Sequence, residues 1–207
     1  MNTRFERRSA LVTGVLAVAL WVVGLAVSQG LTSHLSDKAT DAQVLAWIQG
    51  NKNPIILGSW LFMIGCISFV WFAGILRSRL ASAEGGTHAL STIAFGGAVA
   101  AAVMGLGTQA DIASAINASD VSAATAGTFH HLGDLFFMGA GLSLITMLAA
   151  VTALAYRTAV VPKWWGTVGP IGWAALIFGL PVWTLVTSVL LARTPRRRAA
   201  TAAAATA

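Results

Sequence analysis

Apolar runs of membrane-crossing length follow one another along almost the whole of this 207-residue chain. They extend from Ala10 to Val27, Asn53 to Leu76, Ala89 to Thr108, Thr128 to Tyr156 and Trp164 to Ala192. A helix of about 20 such residues crosses a hydrocarbon core about 30 Å thick. Charged residues supply only 10% of the chain and apolar ones 57%, against about 25% charged in typical soluble domains. A soluble globule is thereby excluded. The expected fold class is all-α, a polytopic transmembrane helical bundle in the cell membrane. Its parts are a basic cytoplasmic N-tail over 1–9, a single transmembrane helical domain over 10–193, and a cytoplasmic tail over 194–207 that is basic and then Ala/Thr-rich.

The net charge of +6 does not point to nucleic acid, because the basic residues lie between the apolar runs and at the two tails, as topology signals do. Cys66 stands alone, which rules out a disulfide framework or a thiolate metal quartet and leaves it as a packing residue. Arg4, Arg7 and Arg8 ahead of the first run imitate a secretory leader, with Ala26-Val27-Ser28 at the cleavage position. The run is longer than the usual leader core of about 7 to 15 residues, and further spans follow, so an uncleaved first helix is expected.

Residues 31–53 are polar, and Thr40 as N-cap with Gly50 as stop predicts a short surface helix there. Its Val44, Leu45, Trp47 and Ile48 face the membrane interface or neighbouring helices. Asn53-Pro54 opens the second span, which Arg77 and Arg79 stop. The third carries Gly97, Ala101 and Gly105 four residues apart, one smooth stripe on which another helix packs closely. Ser119-Asp120 reads as the cap of the fourth helix.

Trp164 to Ala192 is 29 uncharged residues, about 43 Å as one helix, too long for one crossing and too short for two. Gly179-Leu180-Pro181 is the usual punctuation for one helix ending and another starting. Five spans would divide the Lys and Arg seven against six between the two faces, whereas a short C-terminal hairpin divides them eleven against two. The positive-inside rule therefore favours six helical segments with both tails cytoplasmic. Five spans, the last kinked at Pro181, is the alternative. Trp164 and Trp165 after Lys163, with Tyr156 nearby, form an interfacial aromatic belt on this reading.

The spans hold one acidic residue, Asp134, within Phe129-His130-His131-Leu132-Gly133-Asp134-Leu135-Phe136-Phe137. Helical spacing puts His130 and Asp134 on one face with His131 close by. Ionisable groups in a membrane helix are costly, so they mark a functional site by default. Counting 20 residues back from Tyr156 puts all three at the outer interface. Pairing of Asp134 with His130 is one reading. A ligand-binding site for a small polar or lipid head group at His130, His131 and Asp134 is another. A divalent metal on His130 and Asp134, completed by His131, Asp111 or Asp120, is a third, although no recognised ligand spacing is present. Haem held by His34 with His130 or His131 is a fourth. No nucleophile elbow, zinc-protease motif or phosphate loop occurs, and the two halves show no internal repeat.

Leu132-Gly133-Asp134-Leu135-Phe136-Phe137, Val161-Pro162-Lys163-Trp164-Trp165-Gly166, and Trp183 followed by Ser188-Val189-Leu190-Leu191 resemble segments of a family of small actinobacterial multi-pass membrane proteins classed only as a domain of unknown function. The resemblance covers most of residues 10–193 and implies six spans, with a longer connection than this chain has around Gly179 to Pro181. It carries no established activity. The chain is accordingly expected to be a non-enzymatic binding or accessory protein with a polar site at the outer face and no cofactor. A small transporter or carrier subunit, or a metal-dependent enzyme using His130, His131 and Asp134, is the alternative. The expected partners are the lipid bilayer and other membrane proteins or further copies of the chain.

Overall fold

The computed structural model describes residues 3–30, 35–36, 38–158, 162 and 176–193, and all secondary structure among them is helical. Helix α1 (Thr3–Leu25) begins inside the basic stretch, so Arg4, Arg7 and Arg8 lie on its first turns. It closes in a π-helical turn, Ala26–Gly30. Helix α2 (Asp41–Gly50) starts where the sequence requires: Thr40 accepts the Gln43 backbone N–H, and the Gln43 side chain accepts the Thr40 N–H at 2.8 Å. This reciprocal capping box satisfies two otherwise orphaned donors. Asn51 ends the helix by donating to the Trp47 carbonyl.

Helix α3 (Lys52–Glu84) follows at once, with Pro54 as its third residue. Its cap is Asn51 rather than Asn53, and it runs on past Arg77 and Arg79, which do not stop it. Arginine is a good helix former, so these residues bear on depth in a membrane and leave helical hydrogen bonding intact. The turn comes only at Gly85 and Gly86, both with positive φ, a backbone state glycine adopts without steric cost. Glu84 then receives the backbone N–H groups of Leu90 and Ser91 at 2.8 and 2.9 Å, capping helix α4 (Ala89–Gly107) from outside it.

Between α4 and the next long helix the chain forms a short helix, α5 (Asp111–Ile116), that the sequence did not announce. Helix α6 (Ala123–Arg157) is capped by Ser122, whose hydroxyl accepts the Thr125 N–H. The cap expected at Ser119-Asp120 is displaced, and there Ser119 donates to the Asp120 carboxylate. Helix α7 (Leu176–Arg193) passes through Gly179, Leu180 and Pro181 without a break. The helix boundary expected at Pro181 is therefore absent, because a proline near the start of a helix forfeits a single hydrogen bond. Any chain reversal between Trp164 and Leu176 lies outside the described residues, as do His34, Trp164 and Trp165.

Small residues set the packing. Gly24 of α1 lies against Gly58 of α3, and an added Cβ there would come within 2.8 Å of its backbone oxygen. Further along, Gly65 lies against Ala17 and Trp21, so α1 and α3 run antiparallel. Gly97 of α4 meets the backbone of α6 at Ser143 and Met147, while Gly105 faces Cys66 and Phe62 of α3 and Ala101 is buried between them. Ser188 of α7 abuts Gly14 of α1, whereas Pro181 sits higher, at the level of Trp21. Helix α7 thus descends toward the end where α1 begins. Phe69, Phe72, Met147, Val151 and Leu154 form the centre of the core. A second cluster forms under α2, where Val44 and Ile48 are buried against Ile55, Ala115 and Ala126.

The four helical segments long and apolar enough to cross a membrane are Arg8–Gln29, Lys52–Glu84, Ala89–Ile116 and Ala123–Arg157, and less than half of each apolar window is buried within the bundle. The remainder points outward: Trp71 is 69% exposed, and Leu57, Ile67, Leu135 and Leu142 are also exposed. An apolar exterior of this extent is foreign to soluble monomers and suits lipid.

Candidate functional site

The site lies at the α2 end of the bundle and is set by the phase of α6. Starting from the Ser122 cap, Ala126 and Gly127 are buried under α2, with the Asp41 carboxylate against Gly127. One turn on, the same face presents His130, then Gly133 and Asp134, then Phe137, Ala140 and Leu144. His131 is rotated by about 100° from His130 and is exposed, so it leaves this face. Glycine also brings the partner helix close: a Cβ on Gly133 would stand 3.1 Å from the Thr108 carbonyl oxygen, and Gly107 lies against the Phe136 ring.

His130 does not pair with Asp134. Its Nδ1 lies 2.9 Å from Oδ2 of Asp111, the first residue of α5, and both side chains are largely buried, 28% and 21% exposed. With Nδ1 engaged by a carboxylate, that nitrogen carries a proton and Nε2 is the free position. The imidazole is further enclosed by the Trp47 ring edge-on at 6.2 Å and by the His131 ring at 6.0 Å. The other Asp111 oxygen, Oδ1, and the Ser114 hydroxyl are buried and have no hydrogen-bond partner among the described residues. Asp134 is exposed and accepts no hydrogen bond among the described residues.

Below this polar layer a cavity of about 450 Å³ extends between the helices. Its rim is formed by Gln29, Thr108, Gln109, Asp111, His130 and Asp134, and its walls and floor are mainly apolar, with Trp21, Phe62, Phe69, Ala101, Leu144 and Pro181. The rim amides are partly committed: Gln109 donates to the Thr108 hydroxyl, which donates to the Gly105 carbonyl. No group of three or more His, Cys, Asp or Glu side chains among the described residues is placed to hold a metal ion.

The structure therefore brings His130 and Asp134 to one cavity together with Asp111, which the sequence offered only as one of three completing ligands, and leaves His131 outside its lining. Gly97, Ala101 and Gly105 lie at helix contacts, and Ala101 and Gly105 also line the cavity. The contact of Trp47 with His130 and the direct pairing of His130 with Asp111 were not read from the sequence. The pair spans 19 positions, and only the unannounced α5 turn closes that separation.

An all-helical bundle with four helices long and apolar enough to cross a membrane, enclosing an acid-rimmed apolar cavity, is the class that fold and site define. The chain belongs to the family described as Domain of unknown function (DUF4386), whose model matches residues 12–195. No curated protein and no solved structure matches it significantly.

Proposed function

We propose that this is an integral protein of the cytoplasmic membrane that binds a small amphiphilic molecule without transforming it, and that the ligand enters from the outer face. The observation that carries this reading is the cavity itself: an apolar chamber of about 450 Å³ under a layer of carboxylates and imidazole. Ligand sites are typically concave, mostly apolar and equipped with a few polar groups that fix orientation. The orientation follows from charge. Arg4, Arg7, Arg8, Arg77, Arg79, Arg157 and Arg193 belong to the end opposite the cavity, while the cavity end carries Asp41, Asp111 and Asp120 and, of the described basic residues, Lys38 and Lys52. The positive-inside rule assigns the arginine-rich end, and with it both tails, to the cytoplasm.

Native mass spectrometry of the protein in mild detergent tests the reading. An apolar adduct, or uptake of an added alkyl-chain probe, is expected for the wild type and is lost in Leu144→Trp, which places extra bulk in the cavity wall. Retention of the same adducts by a folded Leu144→Trp protein would count against the cavity. A small carrier subunit is the second reading, favoured by Pro181, which lies inside the continuous helix α7 at the cavity wall and costs it one helical hydrogen bond there. It predicts flux in liposomes that falls on Asp134→Asn.

A further inference from the structure

We infer that the cavity selects amphiphiles with a cationic, hydrogen-bond-donating head, an amine or ammonium group, held at Asp134 and the Asp111–His130 pair. The inference rests on the binding role proposed above and adds the class of ligand. Charge balance at the rim is the basis. The lining contains two carboxylates and one imidazole, and no Lys or Arg among the described residues. If His130 is neutral the rim carries two negative charges; if His130 is protonated, one remains. Its sign is negative in either state.

Hydrogen-bonding capacity points the same way. Asp134 accepts no bond among the described residues and is exposed at the rim. Asp111 engages one oxygen with His130, and its other oxygen accepts nothing among the described residues. His130 Nδ1 is committed as a donor, and the Gln109 amide nitrogen commits one of its two N–H groups to Thr108. The charged groups free to bond at the rim are carboxylate acceptors, which an N–H-bearing cation satisfies and a carboxylate, sulfate or phosphate head does not. Charge-assisted hydrogen bonds in a partly desolvated site are the strong ones. The floor of Trp21, Phe62, Phe69 and Leu144 takes the apolar tail. A membrane lipid with an amine head group and a free amphiphilic amine share this chemistry.

The test is photolabelling of the full chain in neutral detergent with a dodecylamine bearing a diazirine in its tail, read as modified peptides. Labelling is expected on peptides carrying Phe62, Phe69 or Leu144. Unlabelled dodecylamine should compete about tenfold better than dodecanol or dodecanoate, Asp134→Asn should bring the three competitors to near parity, and Asp134→Glu should restore the preference. Parity in the wild type overturns the head-group inference while leaving the binding role intact. Absence of label from those peptides overturns the binding role itself. The same competition with protein in phosphatidylglycerol nanodiscs, with and without phosphatidylethanolamine, separates the sources. Protection by phosphatidylethanolamine identifies a lipid, and its absence alongside competition by dodecylamine identifies a free amine.

Discussion

At the scale of single residues, the interaction with the highest stake is the His130–Asp111 contact at 2.9 Å, because both groups are mostly withdrawn from water. Removing one partner of a buried polar pair leaves the other to bear its desolvation, at a cost of about 1–3 kcal/mol. Asp111→Ala and His130→Ala should each lower the thermal unfolding midpoint in detergent by several degrees. The double variant should lose less than the sum of the two, since the penalty is shared. His131→Ala removes an exposed ring and should stay within about 0.5 kcal/mol of wild type. Equal losses at His130 and His131 would show that the contact does not hold. The sequence made His130 and Asp134 legible because a charge within an apolar run is conspicuous. It could not assign the partner, since Asp111 and Asp120 sat in the same polar connection with nothing to rank them. The structure ranks them through α5, which begins at Asp111 and turns its carboxylate toward α6.

At the scale of elements, the helices approach as closely as their glycines allow, and the two adjacent glycines of α4 separate packing from propensity. A Cβ on Gly97 would stand 2.7 Å from the Met147 backbone nitrogen, whereas one on Gly96 meets nothing within 4 Å. Backbone cannot give way as a side-chain tip can, so Gly97→Ala should cost about 1–3 kcal/mol. Gly96→Ala should be neutral or slightly stabilising, since alanine is the better helix former. Chemical unfolding of both variants in detergent checks this, and similar behaviour at the two positions would refute close α4–α6 contact. The cap of α6 offers a second comparison. Ser122→Ala should cost about 1 kcal/mol, while Ser119→Ala, which loses only an exposed contact to Asp120, should cost almost nothing. Local signals were thus readable where they were complete, as with Thr40 and Gln43 at α2. They misled where two polar residues competed for one cap, and where proline or arginine was taken to end a helix that continues past it.

At the scale of the whole molecule, the direction of α7 joins fold to function, because it decides which end of the bundle carries the basic C-terminal residues. Ser188 against Gly14 and Pro181 beside the cavity make α7 antiparallel to α1, so Arg193 emerges where Arg4, Arg7 and Arg8 lie. Apolar periodicity could not supply this direction, since 29 uncharged residues fit neither one crossing nor two; the count of arginines favoured it, and helix contacts give it a physical basis. In the orientation proposed above, the cavity end is the outer face, reached by a ligand without crossing the bilayer. A fluorescent protein that matures only in the cytoplasm, fused after Ala207, should therefore be bright, and a periplasm-dependent phosphatase at the same position inactive. The phosphatase inserted between Asn117 and Asp120, in the turn beyond α5, should be active. An active phosphatase after Ala207, with the insertion at 117–120 also active, would place the C-terminal arginines on the cavity side. The antiparallel packing of α7 would then be wrong, and Pro181 could not form part of the cavity wall.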